Sequence, residues 1–379
     1  LFRSVGGYAV ALATSMDTIF GGKAGGVFFC ASDIGWVVGH SYIVYAPLLA
    51  GMATVVYEGL PTYPDCGVWW KIVEKYQVCR MFSAPTAIRV LKKFPTAQIR
   101  NHDLSSLEVL YLAGEPLDEP TASWVTETLG VPVIDNYWQT ESGWPIMAIA
   151  RGLDDRPSRL GSPGVPMYGY NVQLLNEVTG EPCAANEKGM LVIEGPLPPG
   201  CIQTIWGDDA RFVNTYWSLF SRQVYATFDW GIRDADGYYF ILGRTDDVIN
   251  VAGHRLGTRE IEESISSYPN VAEVAVVGVK DALKGQVAVA FVIPKQSDSL
   301  EDRDIAHSEE KAIMALVDSQ IGNFGRPAHV WFVSQLPKTR SGKMLRRTIQ
   351  AICEGRDPGD LTTIDDPASL QQIRQAIEE

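Results

Sequence analysis

The chain has 379 residues, enough for two or three domains of ordinary size. Hydrophobic residues make up 46% and charged residues 20%, with 10 Trp, 15 Tyr and 13 Phe, which excludes a disordered polymer, a collagen-like repeat and a coiled-coil rod. A formal charge of −13 disfavours nonspecific nucleic-acid binding, which needs a basic face, and leaves room for a small anion held in a local basic pocket.

The chain opens Leu1-Phe2-Arg3-Ser4, without an initiator Met. The stretch Val5 to Thr14 mimics a short signal peptide, but glycines and a tyrosine interrupt it and it reads as an internal segment. Short β-rich runs follow, closed by Gly, Pro, Asp or Asn: Val27-Phe28-Phe29, residues 53–57, Val109-Leu110-Tyr111-Leu112 and residues 131–134. They predict buried strands of an α/β sheet. From Gln173 to Glu194 two apolar runs flank a Thr179-Gly180-Glu181-Pro182 turn, the texture of a β-rich subdomain. A second, small α+β unit starts near residue 246. In it Thr258 is expected to cap a helix with an acidic first turn (Glu260, Glu262, Glu263) and an apolar face at Ile261 and Ile265. Strands at 274–279 and 287–293, a charged helix at 308–320 and a strand at 329–333 complete it. The predicted domains are 1–245 and 246–379.

No apolar run approaches the roughly 18 residues of a spanning helix, so no membrane partner is expected. The six cysteines are scattered, which favours reduced thiols and a cytoplasmic setting. The five histidines stand apart from one another, so no zinc site of ordinary spacing is written here.

Three segments carry chemistry. Residues 338–347 place Lys338, Arg340, Lys343, Arg346 and Arg347 within ten positions, with no acid between Phe332 and Cys353. Such an island in an acidic chain suits an anionic partner, although a solvated basic loop reads the same way; it is not a Walker A loop. The second segment, Asp135-Asn136-Tyr137-Trp138-Gln139-Thr140-Glu141-Ser142-Gly143, follows an apolar strand. It therefore sits at a strand's carboxyl end, where ligands of α/β sheets gather; an ordinary loop with a buried Trp is the alternative. The third runs from Tyr225 through Asp229 and Asp234-Ala235-Asp236-Gly237-Tyr238 to Gly243-Arg244. Its Asp-x-Asp-Gly-Tyr element reads as a hairpin turn, with Asp229 and Arg244 either functional or on the surface.

In this order the three segments resemble the adenylate-forming superfamily of acyl-CoA synthetases, in particular its short-chain branch using acetate or propionate. The resemblance covers essentially the whole chain, including the tail Gly359-Asp360-Leu361-Thr362-Thr363. It implies a large α/β AMP-binding domain with a β-rich subdomain, followed by a small C-terminal α+β domain. The implied substrates are ATP, a short-chain acid and coenzyme A, with Mg²⁺ as the metal and AMP as a product. Gly114, Glu115, Pro116, Asp135, Asn136 and Tyr137 would then bind adenine, and Thr140 the α-phosphate. Glu141 would bind Mg²⁺, Asp229 the ribose hydroxyls, and Arg244 would lie near ribose and phosphate. Asp246 would be the hinge, Lys343 the lysine of the first half-reaction, and Gly253-His254-Arg255 the loop of the second. Lys343 would also be the target of a lysine acyltransferase and deacylase.

The acyl pocket implied by the resemblance is lined by Val37, Val38, Ala113 and Trp138. Acetate-using relatives typically carry Val where Ala113 stands, so the pocket here has room for about one more methylene, worth about 0.8 kcal/mol. Propionate is the expected acid and acetate the alternative. The superfamily's Gly-, Ser- and Thr-rich phosphate loop has no counterpart, and Gly21 to Gly26 does not replace it. The chain is therefore expected to be a large domain shortened at its N-terminus, with little or no synthetase activity on its own; an inactive nucleotide-binding module or delivery to another thiol acceptor are the alternatives. Cytoplasm is the expected compartment, or the mitochondrial matrix in a eukaryote.

Overall fold

The computed structural model describes residues 1–379 except 116, 118, 154–155, 246, 252–253, 296–302, 340–343 and 379, and except the side chains of 119, 254–255 and 303. The chain forms two compact units, Leu1–Ile241 and Leu242–Glu379.

In the first unit five parallel strands, β1 (Val27–Cys30), β2 (Ala53–Val55), β3 (Arg80–Ser83), β4 (Val109–Ala113) and β5 (Val133–Asn136), pair in the order β2-β1-β3-β4-β5. Their side chains alternate between two cores, as the period of two requires. Phe28, Cys30, Phe82, Tyr111, Ala113 and Ile134 pack with Ala11, Leu12 and Met16 of the helix Val5–Thr18. Phe29, Met81, Leu110 and Leu112 face the other way, onto the helices Val68–Tyr76, Pro85–Lys92 and Glu119–Leu129. Burial on both faces explains why these strands read as unbroken apolar runs. The register sets Ser83 beside Leu112 and Ala113 beside Asn136, so β4 and β5 end level at their carboxyl edge and β3 one residue earlier.

A helical run over 37–49 includes a π-helical turn, His40–Tyr45, with the Ala46 amide donating to the Ser41 carbonyl. π turns concentrate at functional positions, and this one carries Tyr42 into the first core. A two-stranded pair, β6 (Met147–Ala148) with β7 (Val165–Pro166), precedes an antiparallel sheet. That sheet is the expected β-rich subdomain: β8 (Asn171–Leu175), β9 (Gly189–Glu194), β10 (Val224–Arg233) and β11 (Tyr239–Arg244), in the order β11-β10-β9-β8. The turn before β9 forms where expected, with the Gly180 amide on the Asn176 carbonyl. The Asp234–Tyr238 hairpin is closed by the Asp234 amide on the Tyr238 carbonyl.

The second unit is a mixed sheet with helices on both faces. Its strands are β12 (Val248–Val251), β13 (His254–Gly257), β14 (Val271–Asp281), β15 (Gly285–Pro294) and β16 (His329–Phe332), with β16 parallel to β15. Val274, Val276 and Ala290 pack on Ile261, Ile265, Ile313 and Val317, from the helices Thr258–Ser266 and Arg303–Gln320. Ala275, Val277 and Phe291 pack on Ile349, Ile352 and Ile373, from the helices Arg346–Cys353 and Ala368–Glu378. Thr258 is not the cap: Gly257 holds the extended N-cap conformation and Thr258 is the first, buried helical residue. Its amide is already taken by the Asp247 carbonyl. All six cysteines are free thiols. Among the described residues, no helix is long and apolar enough to cross a membrane.

Candidate active site

The carboxyl edge of the parallel sheet meets a distortion in β10. Between Ala226 and Trp230 the chain advances four residues while its partner β9 advances two, from Val192 to Met190. Phe228 in this bulge has φ +60°, a left-handed conformation costly for a bulky residue. The bulge turns Asp229, which is 6% exposed, inward. Two donors from the segment after β5 meet it there: the Tyr137 hydroxyl at 2.5 Å and Gln139 Nε2 at 2.6 Å, both on Asp229 Oδ2. Gln139 Nε2 also donates to the Thr227 carbonyl at 2.6 Å, and so ties the segment to the bulge. Burial first, then the adjacent carboxylate, pushes the Tyr137 phenol well above its ordinary value. Tyr137 is therefore a fixed proton donor to Asp229.

A second carboxylate stands close in sequence. Glu141 Oε1 accepts the Tyr216 hydroxyl at 2.9 Å. The Tyr216 ring stacks on Tyr225, with centroids 5.2 Å apart and planes 9° from parallel. The Tyr225 hydroxyl points back to Gln139 Oε1 at 3.5 Å, the limit of a hydrogen bond. Asp229 and Glu141 thus belong to one network through Gln139, Tyr225 and Tyr216. Sequence reading missed Gln139 and Tyr216 as functional. Gln139 lay inside a segment already singled out, whereas Tyr216 carries no motif and is found only through its contact.

Trp138 packs edge-on against Tyr42, with centroids 5.5 Å apart at 85°. Tyr42 in turn packs on Phe20 at 4.7 Å and Phe82 at 5.6 Å, while its hydroxyl meets Ser15 Oγ at 2.9 Å. Such aromatic pairs are each worth about 0.5–1.5 kcal/mol beyond area burial, which makes this a stiff apolar wall. Ala113 and Val38 belong to the same core as Trp138, and Val37 is half-buried next to Val38. Asn136, 2% exposed, donates Nδ2 to the Leu112 carbonyl at 2.9 Å, while its Oδ1 has no hydrogen-bond partner among the described residues.

Gly114, at φ +97°, reverses the chain after β4; no atom crowds its Cβ position, so conformation alone calls for glycine. Glu115 turns to the helix Pro85–Lys92, through Thr86 Oγ1 and Arg89 Nη1. Asp135 is half-buried in β5, and the exposed Thr140 gives its carbonyl to Arg3 Nη2. Arg244 ends β11 in the second unit. Pro116, Asp246, Gly253, Lys343 and the side chains of His254 and Arg255 lie outside the described residues.

The family model described as AMP-binding enzyme matches residues 4–201, and that of the AMP-binding enzyme C-terminal domain matches residues 260–343. A propionate–CoA ligase of Salmonella typhimurium is 94% identical over 377 residues, covering 100% of this chain and 60% of that protein. Its Escherichia coli counterpart is 93% identical with the same coverage. A crystal structure of the anthranilate CoA ligase AuaEII in complex with anthranoyl-AMP has a TM-score of 0.74 at 24% identity, covering 92% of this chain and 63% of that one. At that identity the likeness is one of fold. The chain spans about 60% of the length of these curated relatives.

Proposed function

The chain belongs to the AMP-binding enzyme family, and on that premise we propose that it activates a short-chain carboxylate, propionate by preference, in two steps. ATP and the acid form an acyl-adenylate and pyrophosphate; the thiol of coenzyme A then takes the acyl group and releases AMP. The observation that carries the reading is the buried Asp229, fixed by Tyr137 and Gln139 at the edge of the parallel sheet and networked to Glu141. The 94% identity to a propionate–CoA ligase supports the same reaction. An inactive nucleotide-binding module finds no such support.

Asp229 receives the ribose hydroxyls, beside the adenine segments at Gly114 to Pro116 and Asp135 to Tyr137. Thr140 contacts the α-phosphate. A carboxylate attacking that phosphate brings anions together, so Arg244 and Lys343 offset the developing charge. Among the described residues no cluster of three metal-binding side chains exists. A single carboxylate, Glu141, fits a Mg²⁺ held mostly by phosphate oxygens and water. When bound, that ion neutralises triphosphate charge. The wall of Trp138, Tyr42, Val37, Val38 and Ala113 takes the alkyl group and keeps water from the mixed anhydride. Gly253 and Arg255 serve the thioester step, and Asp246 is the hinge between domains 1–245 and 246–379. Lys343 is also the side chain through which a lysine acyltransferase and deacylase would switch the first step, and the cytoplasm is the proposed compartment.

The test, on the protein at the full length of its curated relatives, is acid-dependent exchange of pyrophosphate into ATP, followed by coenzyme A-dependent AMP release. Propionate should give the highest kcat/KM among acetate, propionate and butyrate. No exchange with any of the three would refute the reaction class; a clear win for acetate would refute the acid. Lys343→Gln should lose exchange yet still form thioester from supplied propionyl-adenylate.

A further inference from the structure

The turn after β4 is held from outside the nucleotide site. Glu115 Oε1 accepts the Thr86 hydroxyl and Oε2 accepts Arg89 Nη1 at 2.9 Å. Farther along the same helix, Lys92 Nζ donates to the Pro120 carbonyl at 2.9 Å. Thr86, Arg89 and Lys92 follow at intervals of three, so one face of the helix Pro85–Lys92 reaches Glu115 and the Pro120 carbonyl. The N-cap of this helix is Ala84, which offers no side-chain acceptor. The Glu115 carboxylate stands beside the first turn and supplies the negative charge that a helix N-terminus favours.

The ion pair itself adds little stability. Arg89 and Glu115 side chains are 36% and 25% exposed, and such pairs are screened by solvent. The geometry has a different consequence: both carboxylate oxygens of Glu115 are engaged by the helix after β3. We propose that Thr86, Arg89 and Lys92 form a clamp that sets the Gly114–Glu115 turn against the adenine. Glu115 is then an anchor rather than a contact to the base, and recognition of the base falls to the backbone of the turn. Thr86 and Arg89 are positioning residues for the nucleotide. This rests on the nucleotide reading above.

The test uses the 379-residue chain and isothermal titration with AMP and IMP, which differ at the purine 6-position. Arg89→Met should weaken AMP binding about tenfold, the scale of one charge-assisted hydrogen bond, and IMP binding far less. The AMP-to-IMP preference therefore falls, while the unfolding temperature stays near that of the wild type. Arg89→Lys should restore part of the preference, and Thr86→Val should lower it by about threefold. A folded Arg89→Met chain with unchanged preference overturns the clamp, as does equal weakening of both nucleotides, the mark of a merely structural role. If Arg89→Met does not fold, Thr86→Val decides on the same criterion. Failure of the wild-type chain to bind AMP would overturn the nucleotide reading itself, and the clamp with it.

Discussion

Tyr137 and Asp229, 92 residues apart in the chain, share a hydrogen bond in which the phenol donates to Oδ2 at 2.5 Å. Burial and the carboxylate raise the phenol pKa well above its ordinary value. A raised tyrosine contributes fully below the ordinary tyrosine range and loses that contribution only as pH rises through the raised value. Across neutral pH the pair is therefore a fixed donor and acceptor. Tyr137→Phe acts on AMP only through Asp229 and should weaken its binding by about 3- to 10-fold, the net worth of one ordinary hydrogen bond. Affinity measured by titration should not change through this pair between about pH 6 and pH 9. A Phe variant with wild-type affinity would show that Gln139 alone holds Asp229.

The parallel strands were legible because burial on both faces leaves apolar runs such as Val109 to Leu112, and the domain order followed from the change of texture after them. Asp229 was not decidable from sequence. Its neighbours read equally well as a surface hairpin, and what buries it is a bulge in β10 that no periodicity announces. Glu115 was read as part of the adenine segment through its motif, which gave no sign that its carboxylate turns to Thr86 and Arg89 on a separate helix. Thr258 illustrates the ordinary error of one position: a good capping residue stands next to a glycine that takes the cap.

Glu141 links the network to the metal proposed for the site. Its Oε1 already accepts from Tyr216, which fixes the carboxylate in place without another cation. Glu141→Gln keeps that acceptor but removes the charge. The Mg²⁺ concentration giving half-maximal pyrophosphate exchange should rise at least about tenfold, in line with loss of a charged ligand. AMP binding without metal should fall by less than about fivefold, since one typical hydrogen bond is worth about 1 kcal/mol net. Equal losses in both assays would place Glu141 against the nucleoside instead.

Ala113 lies at the end of β4 beside Asn136 and is 7% exposed, within the core that also holds Trp138. Adding two methyl groups there takes up volume that a propionate methyl would use. Ala113→Val should therefore move the ratio of kcat/KM for propionate over acetate down by about 10- to 200-fold, the range for one methylene in an apolar pocket. A stable variant with the wild-type ratio would remove Ala113 from the acyl wall.

In the second unit Glu262 accepts Arg346 Nε at 3.0 Å and Nη2 at 2.7 Å, and also the Val276 amide at 2.9 Å. Burial nevertheless outweighs these partners, and the carboxyl titrates above its ordinary value. A raised carboxyl pKa means that the native state holds the proton more tightly than the unfolded chain. The group's contribution to stability is thus full below the ordinary carboxylate range and lost as pH rises through the raised value. Glu262→Gln keeps an acceptor for Arg346 and cannot titrate. Urea unfolding should therefore show the wild type losing stability relative to Glu262→Gln as pH rises above the ordinary carboxylate range. A wild-type advantage that grows with that rise would mean that the Arg346 pair outweighs the cost of burying the charge.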